Sequence, residues 1–353
     1  MHKFCDIIPA MKERAPYWRN IILVGLIIGI GITFSLFPQK HEEKAHLQPV
    51  EVIIPKRAPA KAVAERLHSK GIIRSPELFA LKMRILGLDK RVKAGRYRFT
   101  IPMSEHEVLR VLTEGRAITL RVTIPEGYTV KDIANLLAKE LGIDSEKFME
   151  VCKDSDFLVS LGVPARFAEG FLFPDTYEFT WGVDERVIVK QMIRRFFEVF
   201  DDSLKKGMQK QGRSLLEIVI LASLVEKEAQ VDEERPIIAG VYYNRLKKRM
   251  PLQCCATIQY ILPKRKENLS YDDLRIDSPY NTYKHYGLPP GPICNPGKAS
   301  LEAACFPAST KYLYFVSRGD GTHIFSRTAK EHIKAKRRAK RLRHLLKSKE
   351  HRG

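Results

Sequence analysis

Residues 215–230 read LLEIVILASLVEKEAQ, and how this stretch is read decides the rest of the chain. From Leu215 to Val225 the run is apolar except at Glu217 and Ser223. Apolar residues on every side of a helix predict burial on every side, so this is a helix set deep in a domain core. At about 3.6 residues per turn Val219, Ala222, Ser223 and Glu226 share one face, while Glu228 points roughly the other way. Glu226 therefore continues a mostly apolar stripe, where a carboxylate must be paired, shifted towards its neutral form, or opened to a cleft. The plainer reading is a helix running out into solvent with Glu226, Lys227 and Glu228 as its polar end. Residue pattern alone leaves both readings open.

The 353 residues around this helix suffice for two domains, and 44% hydrophobic with 29% charged residues describes a folded protein. The net charge of +20 is concentrated after Lys330, where Lys and Arg dominate and only Glu331 and Glu350 oppose them. Ile21 to Phe37, IILVGLIIGIGITFSLF, runs seventeen residues without a charge, at the short end of a membrane-spanning helix. Lys12, Arg14 and Arg19 precede it, so the positive-inside rule predicts a cytoplasmic N-terminus and an extracytoplasmic body. A cleaved signal peptide competes with this reading, but the lead-in is long and no A-x-A exit follows, which favours an uncleaved anchor. The cysteines at 5, 152, 254, 255, 294 and 305 form neither a disulfide framework nor a CxxC pair, and no His/Cys cluster has zinc-ligand spacing. A link from Cys254 or Cys255 to Cys294 or Cys305 stays open.

After a polar linker, Val50 to Pro55 is β-rich and 61–70 is helical, with Val63, Ala64 and Leu67 on its apolar side. Seventy residues on, RVTIPEG at 121–127 followed by Val130, Ile133, Ala134 and Leu137 repeats the strand, proline turn and helix. Two copies do not make a solenoid; they predict a small α+β module and a related element opening the next domain. Within the module 79–86 and 106–112 read as helices, the second capped by Ser104 with Glu107 three residues on, and Gly95 to Phe99 reads as a strand. The region 129–152 is helical with a break at 141–144. FLFPDTYEFT at 171–180 is a proline-turned aromatic segment, either a core corner or the wall of a cleft that takes rings. Residues 184–200 form an amphipathic helix and 235–246 another. SPYNTYKHYGLPPGPICNPG at 278–297 is a long ordered loop, and such loops carry function more often than fold. A helix begins at Ser300, and 311–316 with the strand holding His323 read as a hairpin.

No G-x-G-x-x-G, Walker A, G-x-S-x-G or H-E-x-x-H motif is present, so nucleotide, serine-hydrolase and zinc-protease chemistry have no visible site. The polar candidates are Glu226, Glu228, Asp175, Gln253, Asn281, Tyr283 and His323. A carboxylic acid in a part-apolar setting beside amides and aromatics suits glycosidic bond cleavage, where it must deliver a proton to the leaving oxygen. On residues alone this is one of several possibilities.

The segments ASLVEKEA, LQCCATIQY, YNTYKHYGLPPGPICNPG, PASTKYLYFV with GTHIF, and EGFLFPDTY together resemble the MltG/YceG-like family of endolytic murein transglycosylases. The resemblance runs from the hydrophobic segment to about His332. It implies an α+β protein: a cytoplasmic N-terminus (1–20), a transmembrane helix (21–37), a linker (38–49), a LysM-like module (50–120) and a larger mixed catalytic domain (121–329), after which a basic tail (330–353) follows. It implies a single-pass bacterial inner-membrane enzyme, anchored in the bilayer through 21–37, that cleaves nascent peptidoglycan strands between N-acetylmuramic acid and N-acetylglucosamine. The product carries a 1,6-anhydro-muramoyl end, peptidoglycan synthases are the partners, and no cofactor, metal or nucleic acid is required. The family's catalytic glutamate falls on Glu226. Asp175, Tyr177, Glu228, Gln253, Thr257, Asn281, Tyr283 and His323 become substrate-binding or supporting groups.

One departure matters. The family pattern LQ-x-D-P-T reads LQCCAT here, with Cys255 and Ala256 at the Asp and Pro positions. It motivates a rival reading, a non-catalytic peptidoglycan-binding scaffold, against which the intact Glu226 counts. The basic tail lies outside the resemblance and is either a contact for anionic lipid or wall polymer or a solvated helix.

Overall fold

A computed structural model describes residues 48–55, 58–115 and 117–350. The chain divides into two compact units between positions 116 and 117.

In the first unit the strands Gln48–Ile54 and Gly95–Ile101 pair antiparallel, with Val52 opposite Tyr97 and Val50 opposite Phe99. Strand alternation turns Val52, Ile54, Tyr97 and Phe99 inward. Two helices connect the strands. Ala60–Ser69 buries Val63, Ala64 and Leu67, the residues its periodicity selects, and Pro76–Ile85 buries Phe79 and Met83 behind an N-cap at Ser75. Glu105–Thr113 follows with a complete Ser104/Glu107 capping box, a device that contributes ~1 kcal/mol to a helix start.

The second unit opens with Thr119–Thr123, which pairs antiparallel with Thr176–Thr180. Val122 faces Tyr177, and both are buried. Between these strands lie the helices Val130–Leu141, Ser145–Val151 and Ser155–Ser160. The break predicted at 141–144 is made by Gly142 in the left-handed conformation (φ 63°), which ends the first helix. Glu185–Val199 and Asp202–Lys210 then lead to the helix on which the unit is built, Leu215–Glu228. It starts in a second capping box, Ser214 with Glu217, and all eight residues from Ile218 to Val225 are buried. Each large aliphatic side chain among them contributes ~1.5–3 kcal/mol relative to exposure. It packs against Arg235–Lys247, Cys255–Ile261 and Lys298–Cys305. As the sequence suggested, 278–297 contains neither helix nor strand, yet 289–297 is almost wholly buried. A hairpin of Tyr314–Ser317 and His323–Ser326 closes the unit, and the basic tail is a helix, Ala329–Glu350, laid on that hairpin through Ala335 and Ala339.

The membrane expectation needs correction. No helix among the described residues is long and apolar enough to cross a membrane. The longest, Ala329–Glu350, is dominated by Lys and Arg, whose burial in hydrocarbon is prohibitive. The segment 21–37 assigned as the transmembrane helix lies outside the described residues. The fold described is thus α+β without a spanning helix, and the bilayer anchor, the lipid partner and the single-pass inner-membrane topology have no support in it. The five described cysteines are all free thiols, so the disulfides left open do not form among them.

Candidate active site

Glu226 does not run out into solvent. Its side chain is only 7% exposed, and among the described residues every polar contact of its carboxylate falls on one oxygen. The backbone N–H of Gly297 donates to Oε2 at 3.0 Å, the Ser300 hydroxyl donates at 2.8 Å, and Arg235 Nη1 stands 3.3 Å away. Gly297 is the N-cap of the Lys298–Cys305 helix and Ser300 lies in its first turn. The carboxylate therefore sits where unpaired N–H groups and the helix dipole favour an anion. Arg235 is itself fixed: Nη1 donates to Ser300 Oγ at 2.6 Å and Nε to Asp232 at 2.8 Å. Oε1 accepts no hydrogen bond among the described residues.

Two loops make this cradle, and they are stitched together. Gly127 N–H donates to the Asn295 carbonyl and Asn295 N–H donates to the Tyr128 carbonyl, both at 2.9 Å. The Asn295 side chain is fully buried and uses all of its capacity. Its amide donates to Tyr128 O and to Glu169 Oε1, and its oxygen accepts from the N–H groups of Gly170 and Leu172. Glu169 also accepts from Val130 N–H at the start of the Val130–Leu141 helix and from the Tyr260 hydroxyl. Burial, set against those hydrogen bonds, pushes its carboxyl up to about 8. Ser223, one turn before Glu226, accepts from Ile293 N–H and so ties the central helix to the same loop. Backbone conformation favours glycine at 127, where φ is +76°; a Cβ there would only touch Glu226 Cγ at 3.6 Å and Lys227 Nζ at 3.5 Å in ordinary contact.

A second carboxyl faces this place. Glu126 lies over the Cα of Gly297, against the position a Cβ would take. It makes no hydrogen bond or ion pair among the described residues. Burial, and next the like charge of Glu226, raise its pKa above the ordinary carboxylate range, with Arg235 opposing.

The other predicted residues divide clearly. Glu228 is half-buried with its carboxyl turned to Cys254, whose thiol donates to Oε1 at 3.1 Å; burial raises the pKa of both groups. Gln253 holds a strained left-handed backbone (φ 48°), fixed by its N–H to Thr282 O and by Arg245. Thr257 is buried, donating to Cys254 O and meeting Thr282 Oγ1 at 3.0 Å. Tyr283 Oη meets Cys255 Sγ at 2.9 Å. His323 is paired with Glu234, Nδ1 to Oε2 at 2.6 Å. Asn281 is fully buried and ties its own loop, donating to Leu274 O and Ile276 O. Asp175 pairs with Arg195 at 2.7 Å, and the buried Tyr177 donates to Phe173 O, so FLFPDTYEFT is a core corner. None of these contacts Glu226. The residues that do, Gly297, Ser300 and Arg235, were not selected from sequence. The signal available was NPGKAS, an N-cap sequence just after the long loop.

A buried glutamate with one oxygen clamped and the other open is the equipment of an acid–base enzyme. Residues 52–338 match the YceG-like family. A Bacillus subtilis (strain 168) protein named endolytic murein transglycosylase is 35% identical over 328 residues, 88% of this chain and 90% of that protein. A Streptococcus pneumoniae serotype 2 protein of the same name is 31% identical over 317 residues, 80% of this chain and 56% of that one. The crystal structure of a YceG-like protein from Listeria monocytogenes matches with a TM-score of 0.58 at 31% identity, covering 81% of this chain and 98% of that chain. The chain belongs to the YceG/MltG-like family of endolytic murein transglycosylases.

Proposed function

We propose that the second unit cleaves the glycosidic bond between N-acetylmuramic acid and N-acetylglucosamine within peptidoglycan strands, leaving a 1,6-anhydro-muramoyl end. The observation that carries this is the one-sided clamp on Glu226. With Gly297 N–H, Ser300 and Arg235 all directed at Oε2, a proton held by this carboxyl resides on Oε1, the unencumbered oxygen. From Oε1 it passes to the glycosidic oxygen as the bond to C1 breaks. The carboxylate left behind, stabilised by Arg235 and the helix N-terminus, takes the proton of the muramoyl C6 hydroxyl as that oxygen closes on C1. The nucleophile belongs to the substrate, so no water and no covalent glycosyl-enzyme is needed, and one residue serves both steps. Cys255, at the family's Asp position, meets Tyr283 and not Glu226, so the departure leaves the clamp intact. This favours catalysis over the scaffold reading. The first unit, with its strand–helix–helix–strand order, acts as the LysM-like module that adds affinity for the strand.

Mass spectrometry of products from uncrosslinked strands tests the reaction. Fragments lighter by one water than hydrolysis products are expected; reducing-end fragments, or no cleavage, would overturn it.

Glu126, in its protonated form, donates a hydrogen bond to the sugar beside Glu226, and burial with the nearby charge of Glu226 favours that form. Because its pKa is raised, its proton persists above the ordinary range of about 4.3 and is lost only at higher pH. The plot of kcat/KM against pH should therefore fall on its alkaline side as Glu126 ionises. Glu126→Gln, neutral at every pH, should flatten that limb and retain much of the activity. An unchanged profile in the variant would remove Glu126 from the site.

A further inference from the structure

The C-terminal helix lies on the hairpin with one face and leaves a basic face exposed. Between Lys330 and Arg343 it carries eight Lys or Arg against the single acid Glu331. All eight are exposed, and none forms an ion pair among the described residues. Like charges stand four residues apart at Lys330/Lys334, Lys334/Arg338, Lys336/Lys340 and Arg337/Arg341, an arrangement that works against the helix in the free protein. The helix is nonetheless fixed. Ala335 and Ala339 are buried on the hairpin, His332 stacks on Tyr314 with ring centroids 5.0 Å apart, and Arg343 Nη1 donates to Ser317 O at 3.3 Å. A rigid row of uncompensated cations is a surface held ready for an anion.

Its position says which anion. The hairpin beneath the helix reaches the end of the central helix, since Gly321 lies against Gln230. Lys336 is close enough to Cys255 for its charge to oppose the upward pull of burial on that thiol, and Cys255 meets Tyr283 at 2.9 Å. The adjacent Cys254 donates to Glu228, two residues from Glu226. The basic helix thus lies on a hairpin joined to the site from two sides: at Gln230 just past the central helix, and through His323 to Glu234, the residue before Arg235.

We propose that the face Lys334–Arg343 docks the carboxylate-bearing peptide stems of the strand whose glycan lies at Glu226. This rests on the function proposed above. The backbone sugars of murein carry no fixed charge, so its repeated anions are the stem carboxylates. From Lys334 to Arg343 the helix advances about 14 Å, enough for more than one such group. In crosslinking a stem exchanges its terminal residue for a neighbour's amine, and the terminal carboxylate leaves with the displaced residue, so the surface favours strands not yet crosslinked. An acidic lipid surface fits less well. The small apolar residues of this helix face the hairpin, and the open face lacks the apolar stripe that interfacial insertion needs.

Binding is measured on the full chain carrying Glu226→Gln, so that no strand is cut. Fluorescence anisotropy compares stem-bearing strands with strands stripped of stems by an amidase and then amidated at the lactyl carboxylates that this hydrolysis exposes, at low and high salt. Adding Lys334→Glu, Arg337→Glu, Arg338→Glu and Arg341→Glu together should weaken binding to stem-bearing strands about ten-fold or more and abolish its salt dependence, with no change on stripped strands. The same four positions changed to Gln serve if charge reversal disturbs folding as seen by circular dichroism. Equal loss on stripped strands, no loss at all, or stronger capture by phosphatidylglycerol vesicles or polyphosphate than by stem-bearing strands would overturn the proposal. The wild-type product assay fails separately: charge-dependent stem binding without cleavage would sink the reaction and leave the docking surface standing.

Discussion

Glu226→Gln is expected to lower kcat for strand cleavage by about three orders of magnitude, with the fold preserved. General acid–base groups contribute roughly 10²–10⁴-fold each, and here one carboxyl performs both transfers. The glutamine keeps the shape of the residue, and its amide oxygen can still accept from Gly297 and Ser300 in place of Oε2. What it cannot do is yield a proton from the Oε1 position or take one back. Arg235 loses one counter-charge but retains Asp232 at 2.8 Å and Ser300 at 2.6 Å, so the stability cost should stay within about 1–2 kcal/mol. Glu228→Gln is the matched control. Its carboxyl faces Cys254, so kcat should change little while stability shifts modestly. Initial rates of fragment release with melting temperatures for both variants decide the matter. If Glu226→Gln keeps near-wild-type turnover while Glu228→Gln does not, the site is assigned to the wrong glutamate.

What was legible in sequence follows from range. Local signals worked: the apolar periodicity of 61–70, the Ser104/Glu107 capping box and the glycine break after Leu141 each specify structure through neighbours within a turn or two. The apolar run of 215–225, broken only at Glu217 and Ser223, announced a core helix, and its stripe singled out Glu226 over Glu228 as the residue carried on the apolar face. The clamp was not legible, because it is assembled from afar. Gly297 and Ser300 lie more than seventy residues downstream of Glu226, and Glu126 comes from a loop a hundred residues upstream. No periodicity links such positions. Asp175, Tyr177 and Asn281 present the converse difficulty. Their side chains are the types found in sugar sites, yet each is consumed by a nearby partner, Arg195, Phe173 O, and Leu274 O with Ile276 O. Residue type advertises hydrogen-bonding capacity; only the fold says whether that capacity is already used.

Asn295→Ala is expected to be the most destabilising single change in the second unit outside its apolar core. The substitution deletes a fully buried side chain with four hydrogen bonds and strands the N–H groups of Gly170 and Leu172 and one bond each at Tyr128 O and Glu169. Each buried group left unpaired costs about 1–3 kcal/mol, so a total of about 3–5 kcal/mol is reasonable after relaxation. For a unit of this size that corresponds to a drop in Tm of about 10 °C. Turnover should fall as well, because Asn295 sets the loop that aims Gly297 N–H at Glu226. Glu169 gives the same brace a pH signature. Its carboxyl titrates near 8 in the folded protein and near the ordinary glutamate value when unfolded. The folded state therefore holds the proton more tightly, and the associated stability is greatest below about 4.5 and is lost as pH rises through 8. Between pH 6 and 8 the wild type should lose about 2 kcal/mol from this group. Glu169→Gln, which can still accept from Val130 and Asn295 while donating to Tyr260 Oη, should flatten that slope without the large loss of stability expected for Asn295→Ala. Thermal melts of the three proteins across this range provide the check. A wild-type slope unchanged by Glu169→Gln would mean that the proton is lost from another group and that Glu169 enters the brace already ionised.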